Sequence, residues 1–247
     1  MTTQREPELS GQTVVVIGGS SGIGLETARR ARTEGAAVIL TGRNPDHLQQ
    51  AAKEVDAQST AAFDATDPAA LEGFFQGLPE PIDHVMVTAG GQYYARLAEM
   101  DFDKARHAID EHLMLALQAT RYAAGRMRPG GTLLFMTGTG ARRPGPSLSV
   151  AAVQAAAMPA LIANLAVEVA PVRVNLLAAG FVDTPLSASL LGDDVDQRRA
   201  ELRATLPIRR VVGPADVAAL AVHIMTNTAL TGSTYDVDGG EQLVPGA

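Results

Sequence analysis

The chain has 247 residues, a formal net charge of −7 and a sequence pI near 5.2. The acidic balance argues against a nucleic-acid partner, because neutralising phosphates requires clustered lysine and arginine. The sequence has no cysteine, which excludes disulfides and thiolate metal sites, and its 5 histidines lack the spacing of a zinc site, so we expect no metal. The polar, acidic N-terminus does not resemble a signal peptide, and no run looks long enough to span a membrane, so we expect a cytoplasmic protein.

Seven short apolar runs alternate with longer helical patterns along the chain. The runs predict strands at 13–19, 36–42, 59–65, 84–90, 131–138, 172–180 and 232–240. The patterns between them predict helices at 24–35, 45–55, 67–78, 102–127, 149–169 and 214–227. Apolar strands suit a parallel sheet covered on both faces, and the alternation indicates right-handed strand–helix–strand units. We therefore predict one three-layer, doubly wound α/β domain over residues 1–247, with a flexible N-terminal segment at 1–9.

One stretch, residues 186–212, interrupts this alternation before the last helix and strand. We predict that it forms a helical insertion on the surface. Two interpretations stay open, a lid over a substrate and a packing element.

A glycine-rich turn follows the first predicted strand. Gly18, Gly22 and Gly24 stand at the spacing G-x-x-x-G-x-G. Such glycines let the backbone turn sharply and approach a pyrophosphate, and the following helix directs its free N–H groups and positive dipole end at the anion. A turn without a ligand is the alternative. We predict a dinucleotide-binding turn made by Gly18, Ser20, Ser21, Gly22, Ile23 and Gly24.

The end of the second strand favours NADP(H) over NAD(H). An acidic residue there would bind the ribose 2′-hydroxyl and repel a 2′-phosphate. The sequence has Gly42 at that point, followed by Arg43 and Asn44. A guanidinium can hold a phosphate through two hydrogen bonds and stack on adenine, so we predict that Arg43 and Asn44 bind NADP(H). The alternative is that Arg43 is a solvated surface charge.

Two further loops complete the predicted nucleotide site. Asp64 and Ala65 follow the third strand, where the carboxylate could accept a hydrogen bond from the adenine amino group. Ala89 and Gly90 follow the fourth strand, where they could line the adenine ribose. A helix N-cap is the alternative for Asp64, and a tight turn is the alternative for Gly90.

These motifs together resemble the short-chain dehydrogenase/reductase family, classical type. The resemblance covers the chain from about residue 10 and rests on GGSSGIG, TAG, LAVEVAPVRVN, AAGFVDTP and LTGSTYDVDGG. It implies a single Rossmann-type sheet of seven strands, a nicotinamide cofactor, a small-molecule substrate such as a carbonyl or alcohol, and a homodimer or homotetramer. It also implies that Phe181, Val182 and Thr184 contact the nicotinamide carboxamide and a nearby phosphate, with Gly180 beside them.

The resemblance fails at the residues that carry the family's chemistry. That family uses a Tyr as proton donor, a Lys four residues on that lowers the Tyr pKa, a Ser that orients the carbonyl, and an Asn that supports a proton relay. Counting back from Glu168 places Ala151 at the Tyr, Ala155 at the Lys and Gly138 at the Ser. A shift of one residue offers Val150 and Gln154 instead. The Asn position aligns with His112. The tetrad is therefore expected to be degenerate.

Other polar residues could replace the missing groups. His112 titrates near neutrality and could take part in proton transfer, or it could be a surface or subunit-contact histidine. Thr137 and Thr139 flank the Ser position and could orient a carbonyl, or they could serve a strand-end turn. Tyr93 and Tyr94 follow the fourth strand and could reach over a cleft.

Two further features of this part of the sequence bear on its chemistry and its helix. Arg142 and Arg143 could bind an acidic substrate or lie in a solvated turn. Pro159 inside the fifth predicted helix suggests a kink or a late helix start.

Two functions of different class fit the sequence. One is an NADP(H)-dependent oxidoreductase with an atypical proton donor. The other is a catalytically silent dinucleotide-binding regulator or inactive partner subunit. The glycine turn and Arg43 fit both, because fold alone does not fix function.

Overall fold

Seven parallel strands form one sheet in the computed structural model, which describes residues 8–244. They are β1 (Thr13–Ile17), β2 (Ala37–Gly42), β3 (Ser59–Ala62), β4 (Ile82–Val87), β5 (Met127–Gly138), β6 (Arg173–Ala179) and β7 (Thr234–Val237). Their order is β3-β2-β1-β4-β5-β6-β7, and every neighbouring pair is parallel. The chain winds from β1 to one edge and from β4 to the other, which confirms the predicted doubly wound Rossmann-type sheet in a single domain.

Eight α-helices connect the strands within the described residues. They are α1 (Gly22–Thr33), α2 (Pro45–Val55), α3 (Pro68–Gln76), α4 (Phe102–Ala124), α5 (Ser149–Glu168), α6 (Pro185–Leu191), α7 (Val195–Thr205) and α8 (Pro214–Thr226). Six of them match the predicted helices. The other two, α6 and α7, lie largely within the predicted insertion at 186–212.

Strand β1 shows why helices cover both faces of the sheet. Its residues Val14 and Val16 lie in the core layer that includes α1, α2 and α8, whereas Val15 and Ile17 lie in the layer that includes α3, α4 and α5. Successive side chains of a strand point to opposite faces, so an unbroken apolar strand requires cover on both.

Helix α5 is a core helix with an unusually apolar sequence. Within the described part of the chain, this helix has the length and the composition that a membrane span requires. The expectation that no apolar run is long enough for a membrane span is therefore wrong. In the fold it packs on the sheet, where Met158 and Ile162 are buried. The helix begins at Ser149 and continues through Pro159, so the expected late start is wrong. Ala151 therefore lies in its first turn.

The chain is already packed against the domain at Leu9. This side chain is fully buried, and its N–H donates to the carbonyl of Glu34 at 2.9 Å. The predicted flexible segment 1–9 is therefore wrong at its last position. Residues 1–7 lie outside the described part of the chain.

The strand order reverses between β1 and β4. In open parallel sheets, ligands bind at the carboxyl ends of the strands where this reversal occurs. The loops after β1, β4, β5 and β6 meet there, together with the start of α6.

Candidate functional site

The turn between β1 and α1 has the backbone geometry of a close-approach loop. Gly18 has a φ of 93° and Gly22 a φ of 55°, both in the region that favours glycine. A Cβ on Gly24 would lie 2.3 Å from the carbonyl oxygen of Gly18, and one on Gly18 would lie 2.7 Å from Thr88 Oγ1. Larger residues at positions 18 and 24 would therefore clash.

Helix α1 leaves its first turn without a side-chain cap. Ser21 is the N-cap residue, and its hydroxyl makes no capping hydrogen bond. The free N–H groups and the positive end of the helix dipole are thus directed at the cleft, where Ser21, Gly22 and Ile23 line the wall. This arrangement suits a pyrophosphate. Ser20 lies outside the cleft, against the end of β2, with its Oγ 3.1 Å from where a Gly42 Cβ would stand.

Arg43 and Asn44 lie on the surface beside this turn, and they differ in whether their side chains are free to bind a ligand. The Arg43 side chain is exposed and makes no hydrogen bond or ion pair within residues 8–244. Asn44 is the N-cap of α2, and its Oδ1 accepts from the N–H groups of Asp46 and His47 at 2.9 and 3.0 Å. The side-chain oxygen of Asn44 therefore caps a helix. The sequence pattern predicted a cofactor contact for Asn44 and did not predict this cap.

Asp64 forms a local turn after β3. Its Oδ1 accepts from the Thr66 N–H at 3.0 Å and from the Thr66 hydroxyl at 2.8 Å. The Thr66 N–H is the main reason that the pKa of Asp64 is lowered, and Arg43 adds a smaller effect of the same sign. The helix N-cap is Asp67 and not Asp64. Ala65 is buried in the core, so only its backbone can face a ligand.

A cleft of about 330 Å³ runs from the glycine turn along the carboxyl ends of β4, β5 and β6. It brings together most of the residues predicted for the pyrophosphate and nicotinamide. The predicted residues that line it are Gly18, Ser21, Gly22, Ile23, Gly24, Ala89, Gly90, His112, Thr137, Gly180, Phe181, Val182 and Thr184. The cleft does not include Ser20, Arg43, Asn44, Asp64, Ala65 or Thr139.

The segment after β6 is fixed from three directions. Gly180 packs so closely that a Cβ would lie 2.5 Å from Glu241 Oε2. Val182 pairs with Val212 in an isolated bridge. Thr184 caps α6, and its hydroxyl accepts from the Ser187 N–H at 3.2 Å. These contacts connect the predicted nicotinamide-binding segment to Glu241, to Val212 and to the first turn of α6.

A second cavity, of about 180 Å³, adjoins the cleft at the first turn of α5. It is lined by Gln92, Tyr94, His112, Thr137, Gly138, Gly140, Leu148, Ala151, Gln154, Ala179, Gly180, Phe181 and Glu241. Ala151 and Gly138 meet here, at the positions where the family resemblance expects a tyrosine and a serine. Ala155 is buried and lies against a different pocket, between α5 and residues 142–149.

His112 lines both cavities from helix α4. Its Nε2 is buried and has no hydrogen-bond partner among the residues that the structure describes. Burial lowers the pKa of His112 below its ordinary value, so the ring is neutral at pH 7. A neutral imidazole can offer one N–H donor and one acceptor nitrogen to a bound molecule.

The two threonines beside Gly138 have different environments. Thr137 lines both cavities and can present its hydroxyl there. Thr139 is fully enclosed, and its Oγ1 has no partner in the described part of the chain. Its backbone N–H donates to Ala179 at 2.8 Å. The expectation that Thr139 orients a substrate is wrong, since the side chain reaches neither cavity.

No tyrosine–lysine pair forms in the described cavities. Tyr94 lines both, its hydroxyl donates to Gln92, and burial raises its pKa. Tyr93 instead accepts the N–H of Asp101 at 2.9 Å. The only lysines of the sequence are Lys53 on α2 and Lys104 on α4, both exposed and neither in the cavity walls.

Arg142 and Arg143 do not face the cavities with free guanidinium groups. Arg142 pairs with Asp236 at 2.6 Å, and Arg143 donates to the carbonyls of Glu241 and Val244. Arg142 is exposed, in keeping with the solvated-turn alternative, whereas Arg143 is half-buried. Both tie the loop after β5 to the C-terminal part of the fold.

Glu241 is a charged cavity residue that the sequence did not suggest. Its side chain is 9% exposed, Oε1 pairs with Arg198 at 2.7 Å, and Oε2 accepts from the Phe181 N–H at 3.0 Å. One feature of the sequence could have indicated Glu241, namely its position directly after the last predicted strand. In a parallel sheet the carboxyl end of that strand lies at the same edge as the carboxyl ends of the other strands. Among residues 8–244 no group of three histidine, cysteine or acidic residues could hold a metal.

Comparison with known proteins identifies the class. A family model described as enoyl-(acyl carrier protein) reductase matches residues 17–242. Short-chain dehydrogenase/reductase ATR9 of Stachybotrys chlorohalonatus is 27% identical over 96% of this chain and 99% of that protein. The NADP-dependent (R)-specific alcohol dehydrogenase of Lentilactobacillus kefiri is 27% identical over 94% of this chain and 97% of that protein. The crystal structure of BdcA in complex with NADPH superposes with a TM-score of 0.83, at 26% identity and 94% and 95% coverage. The chain therefore belongs to the short-chain dehydrogenase/reductase family of oxidoreductases.

Proposed function

We propose that this protein is an NADP(H)-dependent oxidoreductase of small carbonyl or alcohol substrates that works without the usual Ser-Tyr-Lys residues. The observation that carries the proposal is the continuous cleft from the glycine turn to His112. Its nucleotide end has the tight glycine contacts that a dinucleotide needs, and its other end lacks a tyrosine–lysine pair.

The described residues fit an NADP(H) molecule. The uncapped first turn of α1 and the close contacts of Gly18 and Gly24 suit a pyrophosphate. Arg43 is exposed and without a partner in residues 8–244, which suits a 2′-phosphate. Similarity to an NADP-dependent dehydrogenase and to a structure that contains NADPH supports the same choice. When bound, the nicotinamide supplies or accepts a hydride.

Proton handling falls to His112 in this proposal. Oxidation of an alcohol requires a base that takes the hydroxyl proton as the hydride leaves, which a neutral imidazole can do, and in the reverse reduction the resulting imidazolium returns that proton to the forming alkoxide; a positioned acid or base contributes about 10²–10⁴-fold to such a step. His112 is the side chain in both cavities with a buried ring nitrogen that lacks a partner among the described residues. Thr137 lies beside it and can orient the carbonyl oxygen.

The insertion is proposed to cover the substrate. Leu186, Ser187 and Leu190 of α6 line the cleft opposite the glycine turn. The family resemblance adds a homodimer or homotetramer to the proposal, and the character of the N-terminal sequence adds a cytoplasmic location.

A catalytically silent protein is the second candidate. The observation that favours it is the pair of alanines, Ala151 and Ala155, at the positions expected for the proton donor and its lysine. A methyl group cannot transfer a proton, so a cofactor could bind without turnover. The protein would then act as a regulator or an inactive partner subunit.

One experiment separates these functions. NADPH and NADH are titrated by their own fluorescence, and absorbance at 340 nm is followed with a panel of ketones, aldehydes, quinones and alcohols. We expect NADPH binding and turnover, with at least a tenfold loss of kcat and retained NADPH affinity in His112→Ala. His107→Ala is the matched control, because His107 lies on the same helix and is 71% exposed. NADPH binding without turnover of any substrate would favour the silent protein.

A further inference from the structure

The second cavity has the chemistry of a cation-binding site. Among the described residues that line it, Glu241 is the one carboxylate, no lysine or arginine is present, and Tyr94 and Phe181 are aromatic. A carboxylate and aromatic rings both attract a positive charge. Gln92, Gln154 and His112 supply the remaining polar groups.

The first turn of α5 leaves room for an occupant. Ala151 contributes only a methyl group to the wall, and Gly138 contributes no side chain. The volume of about 180 Å³ corresponds to roughly six water molecules at about 30 Å³ each, which is enough for a small amine. The cavity opens beside Thr137 and Phe181, which also line the cleft, so its occupant would be continuous with a substrate at the nicotinamide.

The Glu241 carboxylate keeps acceptor capacity for such an occupant. Arg198 donates a hydrogen bond to Oε1, and the Phe181 N–H donates one to Oε2. Because the two oxygens of a carboxylate can accept about four hydrogen bonds, acceptor positions remain for a ligand. Gly180 has no side chain to keep the carboxylate away from the end of β6. Arg198 approaches from α7 and does not line the cavity. Glu241 therefore lines the cavity, whereas its arginine partner is not among the lining residues.

The neutral state of His112 is consistent with a cationic occupant. Burial lowers the pKa of His112, so the imidazole adds no positive charge to the cavity at pH 7. Neither lysine of the chain lines the cavity wall.

We infer that the second cavity binds a small organic cation, namely a protonated amine carried by the substrate next to its reacting carbon. The inference rests on the proposed function, since the cavity adjoins the proposed nicotinamide pocket. It names the substrate class as amino-substituted carbonyl or alcohol compounds. The amine contacts the Glu241 carboxylate and the faces of Tyr94 and Phe181.

Isothermal titration calorimetry with benzylamine and its neutral counterpart benzyl alcohol tests the inference. Both are titrated at pH 7 into the full-length protein saturated with NADP⁺. We expect benzylamine to bind at least tenfold more tightly than benzyl alcohol. Equal affinity for the two probes, or no binding of benzylamine, would overturn the inference. The NADP⁺ titration that precedes the experiment reports separately on the proposed function.

Two charge variants and one cavity variant locate the site. Glu241→Gln keeps an oxygen for the Phe181 N–H but removes the charge, so it is expected to lose the tenfold preference. Arg198→Met removes the competing cation, so it is expected to tighten benzylamine binding several-fold. Equal weakening by both would assign Glu241 a packing role only and overturn the inference. Ala151→Phe fills the cavity, and benzylamine binding that persists in it would place the site elsewhere.

Discussion

The backbone N–H of Phe181 donates to the side chain of Glu241 at 3.0 Å, across 60 positions of the sequence. The other carboxylate oxygen pairs with Arg198 on α7. One buried carboxylate thus joins the segment after β6, the insertion and the chain beyond β7. These are the three parts that enclose the cleft beside the proposed nicotinamide position.

Removal of that carboxylate is expected to destabilise the protein. Glu241→Ala leaves the Phe181 N–H and the partly buried Arg198 without their partner, and we expect a loss of about 2 kcal/mol. Glu201→Ala is the matched control, because Glu201 also pairs with Arg198 but is 50% exposed and should change stability by less than about 0.5 kcal/mol. Urea unfolding followed by circular dichroism measures both. Equal effects would mean that the burial of Glu241 does not matter.

We expect a single methyl group added to the glycine turn to weaken both NADPH binding and the stability of the fold. In Gly24→Ala the new Cβ would meet the Gly18 carbonyl oxygen at 2.3 Å, so the turn must shift. We expect at least a tenfold loss of NADPH affinity and a destabilisation of about 1–3 kcal/mol. Gly73→Ala, on α3 with open space around its Cβ, should leave NADPH binding unchanged. Normal NADPH affinity in Gly24→Ala would mean that this turn does not contact the nucleotide.

Arg43 predicts the cofactor preference. Arg43→Ala is expected to weaken NADPH binding at least tenfold and to leave NADH binding unchanged, because only NADPH carries the 2′-phosphate. Lys53→Ala, an exposed cation on the adjacent helix α2, should alter neither affinity. Fluorescence titration of the two nucleotides measures the ratio. An unchanged ratio in Arg43→Ala would refute the assignment of the 2′-phosphate site.

We expect the protein to lose stability in mild acid because of the buried ring of His84. Its ring is buried with Nε2 2.7 Å from Gln12 Oε1, and burial lowers its pKa to about 4 from 6.5. Between these values the unfolded chain binds a proton that the folded chain does not, so stability falls as the pH drops from about 6.5 towards 4 and is unaffected by this group above 6.5. At pH 5 the loss is about 2 kcal/mol, at about 1.4 kcal/mol for each pH unit.

The measurement compares urea unfolding at pH 7.5 and pH 5. Carboxylates contribute to the difference as well, so the same comparison is made in His84→Gln, which has no titrating ring. The variant should lose about 2 kcal/mol less than the parent between the two pH values. A parallel loss in both proteins would remove His84 as the cause.

The sheet was predictable because its strands are apolar on both faces. The run 13–19 contains Val14 and Val16 for one core layer and Val15 and Ile17 for the other, and only a covered parallel strand uses such a sequence. The glycine turn was predictable for a similar reason, since positive φ angles and short contacts demand glycine locally. All seven runs correspond to strands of the sheet.

Other parts of the site depend on contacts that no local pattern contains. Glu241 meets Phe181 only because β6 and β7 are neighbours, and their separation along the chain hides the relationship. Thr139 looked available beside Gly138, but the end of β5 turns it into the interior. Helices α6 and α7 were not separately predicted, because α6 has only 7 residues and α7 is mostly polar, with Leu202 as its buried residue.

The first turn of α5 has a consequence for how this protein can change over time. Ala151 and Ala155 are buried, small and good helix formers, so the helix keeps its shape without any reactive group. At these two positions of α5, unlike at Glu241 or Gly24, the stability of the fold does not depend on a reactive side chain. A side chain at position 151 that fits the adjoining cavity can therefore be introduced with little change to the helix.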